Sequence, residues 1–403
     1  MLNIWVRAKR DARKMPMVLR KYYREEEISL KTVKARSLSE LSEIPFDFSL
    51  FNIVVLGRDD KTLFKELKQF RSPLFGLAAV NSPQVRTEKV SSIFKAIEYA
   101  KSEMRNGLEL NKNFYRFSGI NFLNAPLTFD TDCYILYPQH ARNLEEKLSL
   151  KFKLPDFSPV FRDGNREYVF LEGNVFLEVE KPDSGEVKLI SAPEKSDFGD
   201  FDFSLVSREN KDIVEKLKKE AKNFLVPYRN KKAVIPLSGG KDSQAVLDIA
   251  VEVWDREKLL CIHADTGFDF EENRNHAEYL CEKYGVGLKV IELNLHKKGE
   301  PDFSRWCTFE KTEKLYEEAE KFGAEVFLMG DRDAESFKRR RKPRKRMLKG
   351  IIHLFPVKFW STAHIQVLIE NSQVDINPLY LKGFWRTGCK SCPFLTSWER
   401  NLF

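Results

Sequence analysis

Residues 234–245 read VIPLSGGKDSQA, and the fold of the chain follows from how that stretch is understood. An apolar run enters Ser238, Gly239, Gly240, Lys241, Asp242 and Ser243 and then passes into a helical pattern, so the polar segment is a strand-to-helix turn. Adjacent glycines let backbone N–H groups come close to an anion, a helix N-terminus adds partial positive charge, and Lys241 adds a full one. In physical terms this is a phosphate site. The spacing is neither the longer Walker loop nor the Gly-x-Gly-x-x-Gly of dinucleotide folds. The plainer alternative is a tight turn in which Ser and Asp only cap the helix.

Working outward, strand-like LLCIHAD, LKVIELN and EVFLMG alternate with helical SQAVLDIAVEVW, ENRNHAEYLCEKYG and EKTEKLYEEAEKFG. Upstream, KDIVEKLKKEAKNFL places Ile213, Val214, Leu217, Ala221, Phe224 and Leu225 on one helical stripe. Repeated β-α units of this spacing predict an α/β fold, a Rossmann-like parallel sheet with helices on both faces and ligands at the carboxyl ends of its strands. Asp265 and Arg332 each end a strand on that side. The stretch SAPEKSDFGDFDFSLVSREN, 191–210, gathers Ser, Asp, Pro and Gly and marks a boundary between residues 1–200 and 201–403. Before it, short runs such as FNIVVLG, CYILYP and EYVFLEGNVFLEVE mix with helical KVSSIFKAIEYAKSEM, and EGN and KPDSGE read as hairpin turns. Residues 1–200 are therefore predicted as a separate α+β domain, without a motif of their own.

The chain has 403 residues, 42% hydrophobic and 32% charged, which excludes a wholly disordered protein. No apolar stretch approaches the roughly 20 residues of a membrane helix, and MLNIWVRAKRDARK has no apolar h-region, so a cytoplasmic protein without membrane partners is expected. Six cysteines are too few for a disulfide framework at this length. The net charge of +8 is concentrated in VRAKRDARKMPMVLRKYYR near the start and in KRRRKPRKRMLK at 338–349. So dense a run is expected to face solvent or a polyanion, with Arg340, Arg341, Arg344, Lys345 and Arg346 as candidate contacts to a nucleic-acid backbone, RNA foremost. A solubilising loop is the alternative.

Ser238–Ser243 resembles the PP-loop of ATP pyrophosphatases, patterned Ser-Gly-Gly-x-Asp-Ser, which cleave ATP between the α and β phosphates. HADTGFDFEEN, GDRDAESFKRR and NPLYLKGFWRTGCKSCPF are similar to the phosphoadenosine phosphosulfate (PAPS) reductase family, in that family's order, so the resemblance spans residues 230–396. It implies a PP-loop, adenine-nucleotide α-hydrolase fold in which Ser238, Gly239, Gly240, Lys241, Asp242 and Ser243 hold the pyrophosphate portion of ATP. It makes Asp242 a candidate Mg²⁺ ligand and places Asp265, Thr266 and Gly267 at the nucleotide edge. Arg332, Glu335 and Arg339 would face the phosphates or a second substrate. Lys241, Asp242, Arg332 and Glu335 are the catalytic candidates.

Cys389 and Cys392 form a Cys-x₂-Cys pair flanked by Gly388 and Pro393, suited to holding a metal or cluster if a third ligand is supplied from elsewhere. Cys307 is the candidate: Arg305-Trp306-Cys307-Thr308 resembles the upstream Cys-Cys of iron-sulfur members, with threonine for one cysteine. The resemblance implies a [4Fe-4S] cluster with one open iron, as in sulfur-inserting tRNA thiolation enzymes. Structural Zn²⁺ and a free or redox-active pair are the alternatives. Cys133, Cys261 and Cys281 read as ordinary buried thiols. Sulfonucleotide reductases usually carry a degraded turn and a nucleophilic cysteine on a C-terminal tail, whereas here SGGKDS is intact and no cysteine follows Cys392. The expected function is ATP cleavage to AMP and pyrophosphate coupled to sulfur transfer onto RNA, tRNA foremost, from a protein or sulfide donor. The alternatives are a sulfonucleotide reductase or sulfate-activating adenylyltransferase, and a non-catalytic nucleic-acid-binding protein on the same fold.

Overall fold

The computed structural model describes residues 2–23, 28–32, 44, 46–121, 123, 127–171, 174–194 and 199–402. In the C-terminal half the alternating runs build a six-stranded sheet in the order Gly287–Glu292, Leu259–Asp265, Ala233–Pro236, Val326–Leu328, Ile351–Leu354 and Lys345–Leu348. Neighbours run parallel except for the last pair, an antiparallel hairpin. The chain begins at Ala233–Pro236, adds two strands on one side, and returns to build the other. That reversal opens a crevice at the carboxyl end of Ala233–Pro236, and the glycine turn lies in it. The strand is covered on both faces, as its unbroken apolar run requires. Ala233 and Ile235 join the main core, while Val234 joins a smaller one with Ile262, Ala319 and Phe327.

Residues 2–191 hold two larger sheets of different kinds and a small antiparallel pair, Leu108–Leu110 with Tyr115–Phe117. Leu2–Val6 lies between Ile28–Thr32 and Phe51–Leu56, with Phe75–Ala79 beyond, all parallel. Helix Val90–Asn106 packs on this sheet. The second sheet is antiparallel, in the order Lys188–Ser191, Asn174–Glu180, Arg166–Leu171, Pro159–Asp163 and Asp132–Ile135. The KPDSGE turn joins its first two members; Glu172 and Gly173 of EGN lie outside the described residues, as do 195–198 of the 191–210 stretch. Helices Phe203–Glu209 and Lys211–Leu225 then lead into the C-terminal sheet.

The two halves, expected as separate, share one buried seam. The main core runs from Leu2 through Leu225 to Trp398, and the Phe51 and Phe359 rings meet edge-on at 4.9 Å. Gln366, on helix Thr362–Asn371, donates from Nε2 to Ile135 O at 2.9 Å and accepts from Ile135 N at 2.8 Å. It thereby satisfies the free edge of the Asp132–Ile135 strand, which would otherwise bury unpaired backbone groups. Among the described residues no helix is long and apolar enough to cross a membrane.

Candidate nucleotide-binding site

The glycine turn is held from below by side chains the sequence pattern did not single out. Gly239 has φ +76° and would place a Cβ 2.3 Å from Asn273 O, so both conformation and space demand glycine. Asn377 donates from Nδ2 to Gly239 O at 2.9 Å and to Asn273 Oδ1 at 3.2 Å, while its own Oδ1 caps the Pro378–Lys382 helix at Leu379 N. The Tyr380 hydroxyl accepts from Lys241 N at 3.2 Å. Ser243 Oγ donates to Gly240 O at 2.8 Å and lies 3.3 Å from Ser238 Oγ. The turn opens helix Lys241–Ala250 beside a cleft of about 590 Å³.

Lys241 is 3% exposed, and its ammonium lies 3.1 Å from Asp242 Oδ2 and over the Tyr380 and Trp385 rings. Burial opposes the charged form most strongly, but Asp242, Tyr380 and Glu335 together hold Lys241 above the ordinary lysine range. Burial likewise works to raise Asp242, yet Arg332 and Lys241 together bring it down to about 2. Both are therefore ionised at neutral pH.

Arg332, 1% exposed, is the hub of this network. It donates from Nε to Asp242 Oδ1 at 2.6 Å, from Nη1 to Asp132 Oδ2 at 2.9 Å and Trp360 O at 3.3 Å, and from Nη2 to Thr362 Oγ1 at 2.9 Å. The residue expected to face phosphates thus spends most of its fork inside the protein and bridges the two halves. Glu335 accepts from Arg332 N at 2.7 Å and pairs with Arg339, which also reaches Asp331 at 3.5 Å. Burial raises Glu335 above the ordinary carboxylate range in spite of Arg339. With both Asp242 oxygens taken by cations, the residues present do not fit Asp242 as the ligand of a resident Mg²⁺ ion.

Residues 232–395 match the family described as the phosphoadenosine phosphosulfate reductase domain. The match lies in the C-terminal part of the chain and leaves residues 1–231 outside it. The protein is 32% identical over 246 residues to an uncharacterized protein of Methanocaldococcus jannaschii, covering 56% of this chain and 59% of that one. It is 23% identical over 167 residues to a phosphoadenosine 5'-phosphosulfate reductase of Buchnera aphidicola, covering 38% of this chain and 68% of that one. A solved PAPS reductase of Candida auris in a phosphate complex is similar at a TM-score of 0.35 and 18% identity, over 45% of this chain and 95% of that one. The chain spans about half the length of the archaeal relatives it matches.

Within the matched residues, Asp265, Thr266 and Gly267 are not among those lining the Lys241 cleft. They form a turn in which Asp265 Oδ1 accepts from Gly267 N at 2.8 Å, and Gly267 has φ +83° with His296 against it. Asp269 is the interior carboxylate there, accepting from Thr266 N at 2.8 Å and Thr266 Oγ1 at 2.6 Å.

The expected cysteine triad is not assembled. Cys389 pairs backbone to backbone with Asp269, and its Sγ lies 3.5 Å from Thr266 Oγ1 and 3.7 Å from Asp269 Oδ1. Burial, then the Asp269 charge, push its thiol up to about 12. Cys392 follows in the same turn, whereas Cys307 starts the largely solvent-facing helix Trp306–Phe322. Among the described residues no three His, Cys, Asp or Glu side chains gather as metal ligands. Neither a [4Fe-4S] cluster nor Zn²⁺ fits this donor set, because the spacing of Cys-x₂-Cys fixes only two of the ligands it needs.

The basic run also departs from expectation. Arg340 and Arg344 are 8% and 6% exposed. Arg340 pairs with Asp130 at 2.5 Å and Glu98 at 3.6 Å, and Arg344 forms a bidentate pair with Glu220 at 2.5 and 2.6 Å. Arg346 stacks on Phe355 and Lys345 on Tyr228. Buried arginine is tolerated where carboxylates meet it, and the N-terminal half and the 211–225 helix provide them. Of the five candidates for nucleic-acid contact, Arg341 alone is exposed.

Proposed function

We propose that the protein splits ATP between its α and β phosphates and transfers the adenylyl group to an acceptor oxygen on a small molecule. The observation that carries this reading is a complete glycine turn with a buried Lys241, charged at neutral pH, beside the cleft. The first-turn N–H groups of helix Lys241–Ala250 and the Lys241 ammonium are placed to take the pyrophosphate as it leaves, where charge develops. Asp242 orients that ammonium, and Arg332 orients Asp242. The acceptor oxygen attacks the α phosphorus, the bond to the bridging oxygen breaks, and pyrophosphate carries that electron pair away. The test is conversion of α-labelled ATP to AMP by the intact protein and by Lys241→Ala. Loss of roughly a hundredfold or more is expected; an unchanged rate overturns the assignment.

Thiolation of RNA, tRNA foremost, is a second reading, with sulfur from a protein or sulfide donor displacing AMP from the adenylated carbon. It is favoured by exposed Lys338 and Arg341 beside Arg339 of the cleft, neither of which has a carboxylate partner among the described residues. AMP formation that rises with total tRNA would support it, and indifference to tRNA would remove it.

A further inference from the structure

Arg162 stands on strand Pro159–Asp163, outside the matched domain, and its guanidinium lies 4.2 Å from the Trp385 ring centroid. The same indole meets the Lys241 ammonium at 5.4 Å, and both side chains line the nucleotide cleft. Directly opposite Arg162 on the neighbouring strands are two carboxylates, Asp132 and Glu167, the positions from which a cross-strand ion pair is made. Both are engaged elsewhere. Asp132 Oδ2 accepts from Arg332 and Thr362, and Glu167 accepts from Lys181 at 2.6 Å and from the Tyr134 hydroxyl at 3.0 Å. Arg162 therefore has no carboxylate partner among the described residues. Its Nε donates to Gly164 O at 3.1 Å, and its Nη1 is buried without a hydrogen-bond partner. A desolvated guanidinium donor without an acceptor is a standing cost that a bound anion removes.

The acids of the cleft indicate what kind of acceptor fits. Asp242 and Glu335 are held on both oxygens as described, and Asp331 pairs with Arg339 and Lys342. Glu399 accepts from the backbone N–H groups of Trp385, Arg386 and Thr396. Asp183 sits at the exposed rim, and no histidine lines the cleft among the described residues. An acceptor hydroxyl needs a base to take its proton; an acceptor that arrives ionised needs none.

We propose that Arg162 binds the acceptor itself, a small anion presenting a carboxylate or tetrahedral oxyanion, with Arg305 and Arg386 at the rim. The assignment rests on the adenylyl-transfer reading and specifies its second substrate. An oxyanion oxygen forms the new bond to the α phosphorus, pyrophosphate leaves with the electron pair of the broken bond, and no proton changes hands.

The test is calorimetric titration of inorganic sulfate, inorganic phosphate and acetate into the full chain, with the glycine turn filled by α,β-methylene-ATP. At least one of these anions binds the nucleotide-loaded protein, and their ranking separates tetrahedral from carboxylate acceptors. Arg162→Met weakens that anion binding roughly ten- to a hundredfold, the worth of a charged hydrogen bond, and by more than it changes nucleotide affinity measured alongside. Arg162→Lys, which keeps the charge but not the planar fork, falls between. Equal anion binding by Arg162→Met and the unaltered protein overturns the proposal, as does anion binding only when nucleotide is absent. Anion binding through Arg162 in a protein that never forms AMP would keep the subsite and remove the adenylyl-transfer reading instead.

Discussion

At Gly239 a single methyl group has nowhere to go: the backbone is left-handed and Asn273 O closes the space. Gly239→Ala is expected to lose more than about 1 kcal/mol of stability together with nucleotide binding, read by urea denaturation and ATP titration. Arg332→Met leaves Asp132 and Asp242 without their shared cation and is expected to cost about 3–5 kcal/mol. The same pairing makes stability pH-dependent with a definite sign. Asp242 is held at about 2 against its ordinary 3.8, so its contribution is complete above about pH 4 and is lost as the pH falls towards 2. Urea midpoints of the unaltered protein should drop across that window more steeply than those of Arg332→Met. Equal slopes would show that the network does not hold the carboxylate.

At the scale of elements, the turn, its strand and its helix were legible because their signals are local: an apolar run, two glycines and a helical stripe within a dozen residues. The 338–349 segment was misread for the opposite reason. Its partners Glu98, Asp130 and Glu220 lie over a hundred residues away, so charge density alone gave no hint that two of its arginines are buried. The segment runs through a short helix into the Lys345–Leu348 edge strand, and Arg344 fixes that strand to helix Lys211–Leu225. Arg344→Met should therefore lower stability by about 3–5 kcal/mol, whereas exposed Arg341→Ala should stay within about 0.5 kcal/mol. Comparable losses for the two, measured by denaturant titration, would return the run to the surface. The Cys-x₂-Cys pair is local in the same way, since nothing beside it in the chain says where Cys307 lies.

Across the whole molecule, the parallel sheet that carries the site could be read from the sequence, but the wall that completes the cleft could not. Arg162, Asp132 and Glu167 lie on strands whose polar positions look like an ordinary solvent face, and only the antiparallel register sets them against Arg332 and Trp385. The Phe51–Leu56 strand is legible from its apolar run, but its parallel pairing with Leu2–Val6 and Phe75–Ala79 is not, since those partners are brought together only by the fold. With one core shared between the halves, thermal unfolding should be a single calorimetric transition, and two separated transitions would contradict the seam. Which bond of ATP is broken at Lys241 separates adenylyl transfer from ordinary ATP hydrolysis. A ³¹P NMR spectrum of ATP turned over by the full chain, with the anion that binds at Arg162, should show AMP and pyrophosphate. Resonances of ADP and inorganic phosphate in their place would contradict it.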